Sequence, residues 1–123
     1  MIGYVTIGVS DMERAKAFYT TLFADQGAKV MLDAGRIALI GAEPGSPMLA
    51  VCEPHDGEAC SVGNGSMVAF PASSKDEAKA MYDKAISLGA SDEGEPGQRI
   101  PDQFYGAYAR DLDGNKMCFY VFG

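Results

Sequence analysis

Short apolar strands and amphipathic helices alternate along the chain, and the pattern occurs twice. Residues 4–9 are rich in β-branched and aromatic side chains, which predicts a strand. Apolar side chains in residues 15–22 then recur at the i, i+3, i+4, i+7 spacing of a helix that packs by one face. Both elements return after 63 residues, where Met67 stands in the place of Tyr4. The chain is therefore predicted to contain two copies of one strand-helix unit, related by pseudo-symmetry.

Capping signals precede both predicted helices. The first is the sequence Ser-Asp-Met-Glu, a capping box in which the Ser10 hydroxyl accepts the amide of Glu13 and the Glu13 carboxylate accepts the amide of Ser10. In the second copy, Ser73 and Ser74 are both candidate N-caps, and Glu77 stands three residues after Ser74. Each helix is thus predicted to begin directly after its strand.

Three further strands are predicted in each half, which gives an α+β protein. Those of the first half cover residues 29–32, 36–40 and 48–52. In the second half, residues 104–110 and 115–122 form a hairpin joined by an Asp-Gly turn. The stretch 91–103 is interrupted by glycine and proline, so we expect only one short strand there. Each half is therefore predicted to be a β-α-β-β-β module.

The last predicted strand is apolar on both faces. Met117 and Phe119 point to one side, whereas Cys118 and Tyr120 point to the other. One face must cover a helix, and the other must face a cavity, the other half or a partner subunit. We therefore predict a curved-sheet cup with the helices outside and a ligand inside, and a homodimer that covers the remaining apolar surface.

The length and composition of the chain limit its organisation and its partners. With 123 residues we expect a single domain, residues 1–123, made of module one (1–53), a glycine-rich linker (54–65) and module two (66–123). The formal net charge of −7 argues against nucleic-acid and anionic-membrane partners, and favours neutral or cationic ligands. No apolar run is long enough to span a membrane. The first residues lack a signal peptide, and the three cysteines lack CxxC spacing, so we expect a cytoplasmic protein.

Three motifs together carry a resemblance to a known family. They are the segments 8–11 and 15–19 around the first helix, and Arg-Asp-Leu-Asp-Gly-Asn-Lys at 110–116. With the internal repeat, they resemble the vicinal oxygen chelate superfamily, which includes glyoxalase I, bleomycin-resistance proteins, fosfomycin-resistance enzymes and extradiol dioxygenases. The resemblance covers nearly the whole chain. It implies two β-α-β-β-β modules around a cup, usually in a homodimer.

The resemblance also implies metal ligands, typically His or Glu, in the first and last strands of each module. Here those positions hold Tyr4, Met67, Cys118 and, by approximate alignment, Ala50. A catalytic zinc, nickel or iron ion needs about three imidazole, carboxylate or thiolate ligands, and Cys118 alone cannot supply them. We therefore expect no metal and no other cofactor, with a divalent metal as the less favoured alternative.

The ligand is expected to bind in the cup, on the sheet faces that the helices leave open. Strand alternation separates Tyr4 and Thr6 from Val5 and Ile7, which are expected to lie under the helix. The predicted substrate-binding residues are Tyr4, Thr6, Ala50, Met67, Tyr108 and Cys118. No residue is predicted to be catalytic.

Several other residues leave alternatives open. His55 is a general base, a lone metal ligand or an exposed loop residue, and Cys118 is either a nucleophile or a buried thiol. Arg36 and Arg110 are candidate anion anchors, but each has acidic neighbours with which it can pair. Tyr105 and Tyr108 lie beside the hairpin and either line the cup or pack against the core, and of the two Tyr108 is the one included among the predicted site residues.

Two hypotheses of function follow. The first is a glyoxalase/bleomycin-resistance-like protein that has lost its metal ligands and binds or sequesters a small organic molecule. The alternative is a glyoxalase-like lyase or dioxygenase that uses a divalent metal, or a metal-free acid/base pair such as Tyr4 with Cys118.

Overall fold

A computed structural model describes all residues from Met1 to Gly123, and the chain forms two compact units, Met1–Ser61 and Val62–Gly123. The first unit contains β1 (Tyr4–Gly8), α1 (Met12–Leu22), a short 3₁₀ helix (Ala24–Gln26), β2 (Lys29–Asp33), β3 (Ile37–Gly41) and β4 (Met48–Cys52). The second contains β5 (Val68–Pro71), α2 (Lys75–Ser87), β6 (Ser91–Ile100), β7 (Phe104–Arg110) and β8 (Lys116–Phe122). No helix has the length and apolarity that crossing a bilayer requires.

The two units share one topology, which confirms the predicted pair of β-α-β-β-β modules. The strand orders are β1-β4-β3-β2 and β5-β8-β7-β6, with the first strand of each unit parallel to the last. Thr6 pairs with Ala50, and Ala69, which lies 63 residues after Thr6, pairs with Cys118. Ala50 and Cys118 therefore occupy equivalent rows of their own sheets.

In the first unit, α1 buries an apolar face and the sheet alternates in exposure. On β1, Val5 and Ile7 are half-buried, whereas Tyr4 and Thr6 are exposed, as strand alternation predicts. The buried side chains of α1, β3 and β4 form the core of this unit: Met12, Ala15, Phe18, Tyr19, Leu22, Ala38, Ile40, Leu49, Ala50 and Val51.

The second unit is built in the same way around α2. Ala78, Met81, Tyr82 and Ala85 of this helix are buried, as are Met117 and Phe119 of β8. The Tyr82 hydroxyl donates to Asp92 on β6 at 2.7 Å. Burial and that hydrogen bond raise the pKa of Tyr82 to about 12, so its hydroxyl stays protonated and ties α2 to the edge of the sheet.

The N-cap of α1 is Asp11, so the predicted capping box at Ser10 is wrong. The Asp11 carboxylate accepts the amide of Arg14 at 3.0 Å. Glu13 pairs instead with Lys16 at 2.7 Å, and the Ser10 hydroxyl accepts from the Arg14 guanidinium at 3.1 Å. The helix begins one residue later than expected, because a carboxylate three residues before an amide caps it as well as a hydroxyl does.

The N-cap of α2 is Ser74, one of the two candidates. Its hydroxyl accepts the amide of Glu77 at 3.0 Å, and the Glu77 carboxylate accepts the amide of Ser73 at 3.1 Å. The Glu77 carboxylate thus reaches one residue beyond the N-cap and also accepts the Ser73 hydroxyl at 2.9 Å, so the arrangement is a variant of the capping box.

Substitution of the two candidate caps of α1 should separate them. Asp11→Ala is expected to lower the free energy of unfolding by about 1 kcal/mol, because the amide of Arg14 loses its acceptor. Ser10→Ala should have a clearly smaller effect, since Ser10 accepts from a side chain at the surface. Urea denaturation of both variants checks this, and equal losses would contradict the assignment of the cap to Asp11.

The stretch after α2 holds a long strand, so the expectation of one short strand is wrong. β6 runs for ten residues, Ser91–Ile100, and pairs with β7 through three register shifts. Pro96 falls inside the shift between Gly94 and Gly97. A proline is tolerated there because β6 is the edge strand and the bulge leaves one residue out of the ladder.

Candidate functional site

Tyr108 and Cys118 meet on one face of the second sheet. They are Cα partners across β7 and β8, and Cys118 is fully buried. A Cβ added at Gly106 would lie 3.6 Å from the Cys118 Sγ atom, which places the thiol on the same face as Gly106. By strand alternation, Tyr108 shares this face, opposite the one that carries the buried Phe119. We call it the open face of the second sheet.

Two cations lie against the Tyr108 ring. The Arg99 Cζ atom is 5.3 Å from the ring centroid, and the Lys116 Nζ atom is 5.4 Å from it. Arg99 belongs to β6, and Lys116 is the first residue of β8. The two cations therefore come from the two strands that pair with β7. The phenol is therefore the centre of a cluster of Arg99, Tyr108, Lys116 and Cys118.

The electrostatics of the cluster keep both of its weak acids protonated. Burial raises the pKa of the Cys118 thiol, and the hydrogen bond with Tyr108 and the charges of Arg99 and Lys116 offset only part of that rise. The pKa of Tyr108 is also raised, first by desolvation and then by the neighbouring Cys118. At neutral pH the cluster therefore offers a phenol, a thiol and two cations, all of which are hydrogen-bond donors.

Aromatic rings continue the open face along the strands. Phe104 and Tyr120 stack with their centroids 5.5 Å apart and their planes at 5°. Phe122 meets both rings edge-on, at 5.8 and 5.0 Å, and is 76% exposed. Gly106 lies between Phe104 and Tyr108 on β7, and the Phe104 ring covers it, since a Cβ added at Gly106 would lie 2.8 Å from the Phe104 Cε1 atom.

A cavity of about 730 Å³ opens at the end of the second sheet, where the linker enters it. Met67, Arg110 and Lys116 line it together with the glycine-rich segment before β5. The Arg110 guanidinium donates to Glu93 at 2.5 Å and to the Gly114 carbonyl at 2.9 Å. Arg110 is thus paired with an acidic residue of the same unit. This is the second of the two alternatives for Arg110, and the residue is not an anion anchor.

The six predicted site residues divide between the units. Met67, Tyr108 and Cys118 lie in the second, where Tyr108 and Cys118 are in contact range and Met67, 45% exposed, directly precedes β5. The other three, Tyr4, Thr6 and Ala50, lie in the first unit, at its exposed β1 positions and in the buried row of β4. That one ligand contacts all six residues stays a prediction.

The remaining candidate residues, His55, Arg36, Cys52 and Cys60, all lie in the first unit. His55 is exposed in a turn of the linker. The Arg36 guanidinium donates to the Glu53 carbonyl at 2.7 Å, which fixes it to the backbone. Cys52 and Cys60 are half-buried and form no disulfide.

The residues at the positions of the implied metal ligands do not fit a metal ion. Those positions offer a phenol, a methyl group, a thioether and a buried thiol whose pKa is raised. No three histidine, cysteine, aspartate or glutamate side chains lie close enough together to hold a metal. A zinc, nickel or iron site needs a different donor set.

Sequence reasoning missed Arg99, Lys116, Phe104 and Tyr120. Lys116 was part of the hairpin motif, but its use against Tyr108 depends on the β7–β8 register. Arg99 lies in a stretch whose glycine and proline residues predict only one short strand, whereas β6 extends through it. The alternation of aromatic residues on β7 and β8 was the one available signal for Phe104 and Tyr120.

Comparison with known proteins gives a consistent result. The family model of the glyoxalase/bleomycin resistance protein/dioxygenase superfamily matches residues 1–119. A glyoxalase/bleomycin resistance protein from Albidiferax ferrireducens is 31% identical, with a TM-score of 0.85 over 98% of this chain and 97% of that one. No functionally curated protein matches the sequence.

Two more distant structures share the fold. A lactoylglutathione lyase from Agrobacterium tumefaciens is 22% identical, with a TM-score of 0.70 over 98% of this chain and 92% of that one. A glyoxalase-related enzyme from Fulvimarina pelagi is 17% identical, with a TM-score of 0.76 over 98% and 86%. The family match over nearly the whole chain, the paired modules and the 31% identical structure lead to one conclusion: the chain belongs to the glyoxalase/bleomycin resistance protein/dioxygenase superfamily.

Proposed function

We propose that the protein binds or sequesters a small organic molecule without using a metal ion. The observation that carries this proposal is the open face of the second sheet, where phenol and phenyl rings surround a buried thiol. Binding sites for small molecules typically combine such apolar walls with a few polar groups that fix orientation. The substituted ligand positions favour binding over metal-assisted chemistry.

The proposed contacts in the second unit are Met67, Tyr108 and Cys118. The first unit would supply Tyr4, Thr6 and Ala50 from the equivalent rows of its own sheet. Affinity would come chiefly from apolar burial, at roughly 25 cal/mol per Å². The Tyr4, Thr6 and Tyr108 hydroxyls would orient the ligand.

A neutral aromatic probe tests this proposal. We expect 2-naphthylmethanol to bind the wild-type protein in a calorimetric titration. Met67→Lys should weaken binding at least about tenfold, because a charged side chain would have to be desolvated beside the ring. Met67 is 45% exposed, so lysine can be accommodated without unfolding the unit.

Leu112→Lys is the matched control for this variant. Leu112 is 38% exposed, and it lies in the β7–β8 turn on the side of Gly89, at the end of α2. This variant should bind the probe like the wild type. No binding by the wild type, or equal affinity of the wild type and Met67→Lys, would refute this placement of the ligand.

The alternative is a glyoxalase-like lyase or dioxygenase. The contact of Tyr108 with Cys118 favours a metal-free acid/base pair in the second unit, in place of the pair of Tyr4 and Cys118. The raised pKa of both groups works against it, because a base must be deprotonated at the working pH. Elemental analysis separates the hypotheses: about one zinc, nickel or iron per chain, retained after mild chelation, would favour the enzyme.

We also propose that the protein forms a homodimer. Ile100 and Phe122 are 50% and 76% exposed at the aromatic end of the second sheet, and Tyr4 and Leu32 are each 53% exposed in the first unit. Contact between copies would remove such apolar surface from water. Light scattering at micromolar concentration is expected to give the mass of two chains, and a monomer mass would contradict the dimer.

A further inference from the structure

The open face of the second sheet carries positive charge, although the chain as a whole is acidic. The sequence has 17 acidic and 10 basic residues. Most of its ion pairs use other cations, namely Lys16, Lys79 and Arg110. Arg99 and Lys116 form no salt bridge, yet both lie against one ring. Other cations of the chain also lack a salt bridge, so what distinguishes Arg99 and Lys116 is that both flank one phenol, from β6 and from β8.

The acidic groups near these cations already have partners. The charge of Arg99 helps to lower the pKa of Asp92, but the Asp92 carboxylate already accepts hydrogen bonds from the Tyr82 hydroxyl and from the amide of Gly94. The Glu93 carboxylate is bound to Arg110. The Arg99 guanidinium donates to the backbone carbonyl of Glu95 and to the Tyr108 hydroxyl, which uses only part of its five N–H donors.

Both cations act on the same point of the face. The charges of Arg99 and Lys116 each favour the anionic form of the Cys118 thiol, which lies beside Tyr108. A Cβ added at Gly94 would lie 3.2 Å from the Arg99 Nη2 atom and 2.9 Å from the Tyr108 ring, so this corner is closely packed and its geometry is fixed. An anion placed over Tyr108 would be within reach of both positive charges and of the phenol.

The aromatic rings are at the right distance for the rest of such a ligand. On the β7–β8 ladder, the row of Tyr108 and Cys118 is followed by Gly106 with Tyr120 and then by Phe104 with Phe122. Each row is roughly 7 Å from the next, which is about the length of an aromatic ring with its substituent. In the middle row the Phe104 ring lies over Gly106 and stacks on Tyr120, so the two rings form an aromatic surface beside the row of Tyr108.

We propose that the ligand of the second unit is a small aromatic carboxylate, whose carboxylate lies beside Tyr108 within reach of Arg99 and Lys116 and whose ring lies against the stacked rings of Phe104 and Tyr120. This inference rests on the proposed function and names the class of its ligand. It reverses the preference for cationic ligands that net charge alone suggests, because a binding site responds to the charges beside it and not to the sum over the chain.

Two probes that differ only in charge test the inference. We expect 2-naphthoate to bind the wild type about tenfold more tightly than 2-naphthylmethanol at low salt, and the difference to shrink as salt is added. In the double variant Arg99→Gln/Lys116→Gln the two probes should bind alike, because only the carboxylate depends on the cations. Calorimetry measures both affinities.

Lys75→Gln is the matched control. The Lys75 Nζ atom lies 5.8 Å from the ring centroid of Tyr105, so this variant also removes a lysine from a tyrosine ring, but at a different place. It should keep the full preference for naphthoate. Equal binding of both probes by the wild type would overturn the inference and leave the proposed function standing, whereas binding of neither would reject both. A preference that Lys75→Gln removes as completely as the double variant would also overturn the inference.

Discussion

Phe119→Ala is expected to lower the free energy of unfolding by about 4 kcal/mol. Phe119 is fully buried in β8, and its ring stacks on Phe70 of the neighbouring strand with centroids 6.1 Å apart. Truncation removes the transfer free energy of the ring and leaves a cavity between the strands, which the surrounding side chains fill only in part. Urea denaturation followed by circular dichroism measures the loss.

Phe122→Ala is the control for this substitution. It removes the same side chain from the same strand, but Phe122 is 76% exposed and faces the opposite side of the sheet. We expect its effect on unfolding to be below about 1 kcal/mol. Comparable losses for the two variants would show that the core of the second unit does not lie on the Phe119 face.

The repeat made the topology of the protein predictable. Hydrophobic periodicity is local, so the strand, helix and hairpin signals could be identified without knowledge of tertiary contacts. The 63-residue offset then required both halves to have the same order of elements, and β1–β4 and β5–β8 do have the same topology. The equivalence of Ala50 and Cys118, which rested on an approximate alignment, follows from the register of the two parallel pairs.

Two sequence predictions were wrong, namely the N-cap of α1 and the length of the strand after α2. Asp11 and Ser10 are both good helix caps, and the choice depends on which residue the preceding strand leaves in an extended conformation. β6 contains Gly94, Pro96 and Gly97, which usually end a strand. Pairing with β7 along one edge stabilises it, and the register shifts accommodate the proline.

Only part of the candidate site could be predicted, because some of its contacts depend on tertiary structure. Tyr108 and Cys118 were identified because strand alternation and the repeat are sequence properties. Arg99 joins them through a bulged strand, so its distance to Tyr108 depends on tertiary structure. Net charge does not describe this cluster, because it also counts carboxylates that are bonded to cations elsewhere in the chain.

Asp111→Ala is expected to lower the free energy of unfolding by about 3 kcal/mol. Asp111 is the one charged residue that is buried in the chain, at 7% exposure, and it organises the turn between β7 and β8. Its Oδ1 atom accepts the amides of Asp113 and Asn115, both at 2.9 Å, and its Oδ2 atom accepts from the Asn115 side chain at 3.0 Å. Removing the carboxylate takes the acceptor away from part-buried N–H donors. The resulting loss of stability is larger than the contribution of a hydrogen bond at the surface.

Two further variants provide losses of stability with which that of Asp111→Ala can be compared. Asp111→Asn keeps the shape and the Oδ1 acceptor but loses the charge, so it should cost roughly half as much as alanine. Asp56→Ala breaks a similar bond, from the amide of Glu58 to the Asp56 carboxylate at 2.9 Å, but in an exposed turn of the linker. We expect that control to stay within about 0.5 kcal/mol of the wild type in urea denaturation.

The same turn positions the cations of the second unit, so its loss should also affect binding. Arg110 and Lys116 lie at the two strand ends that the turn joins, and Arg110 donates to the Gly114 carbonyl at 2.9 Å. In Asp111→Ala, amide hydrogen exchange should accelerate first at residues 113–116, and the preference for 2-naphthoate should fall as Lys116 loses its fixed position over Tyr108. If Asp111→Ala matched Asp56→Ala in stability, the buried carboxylate would not be what holds this turn.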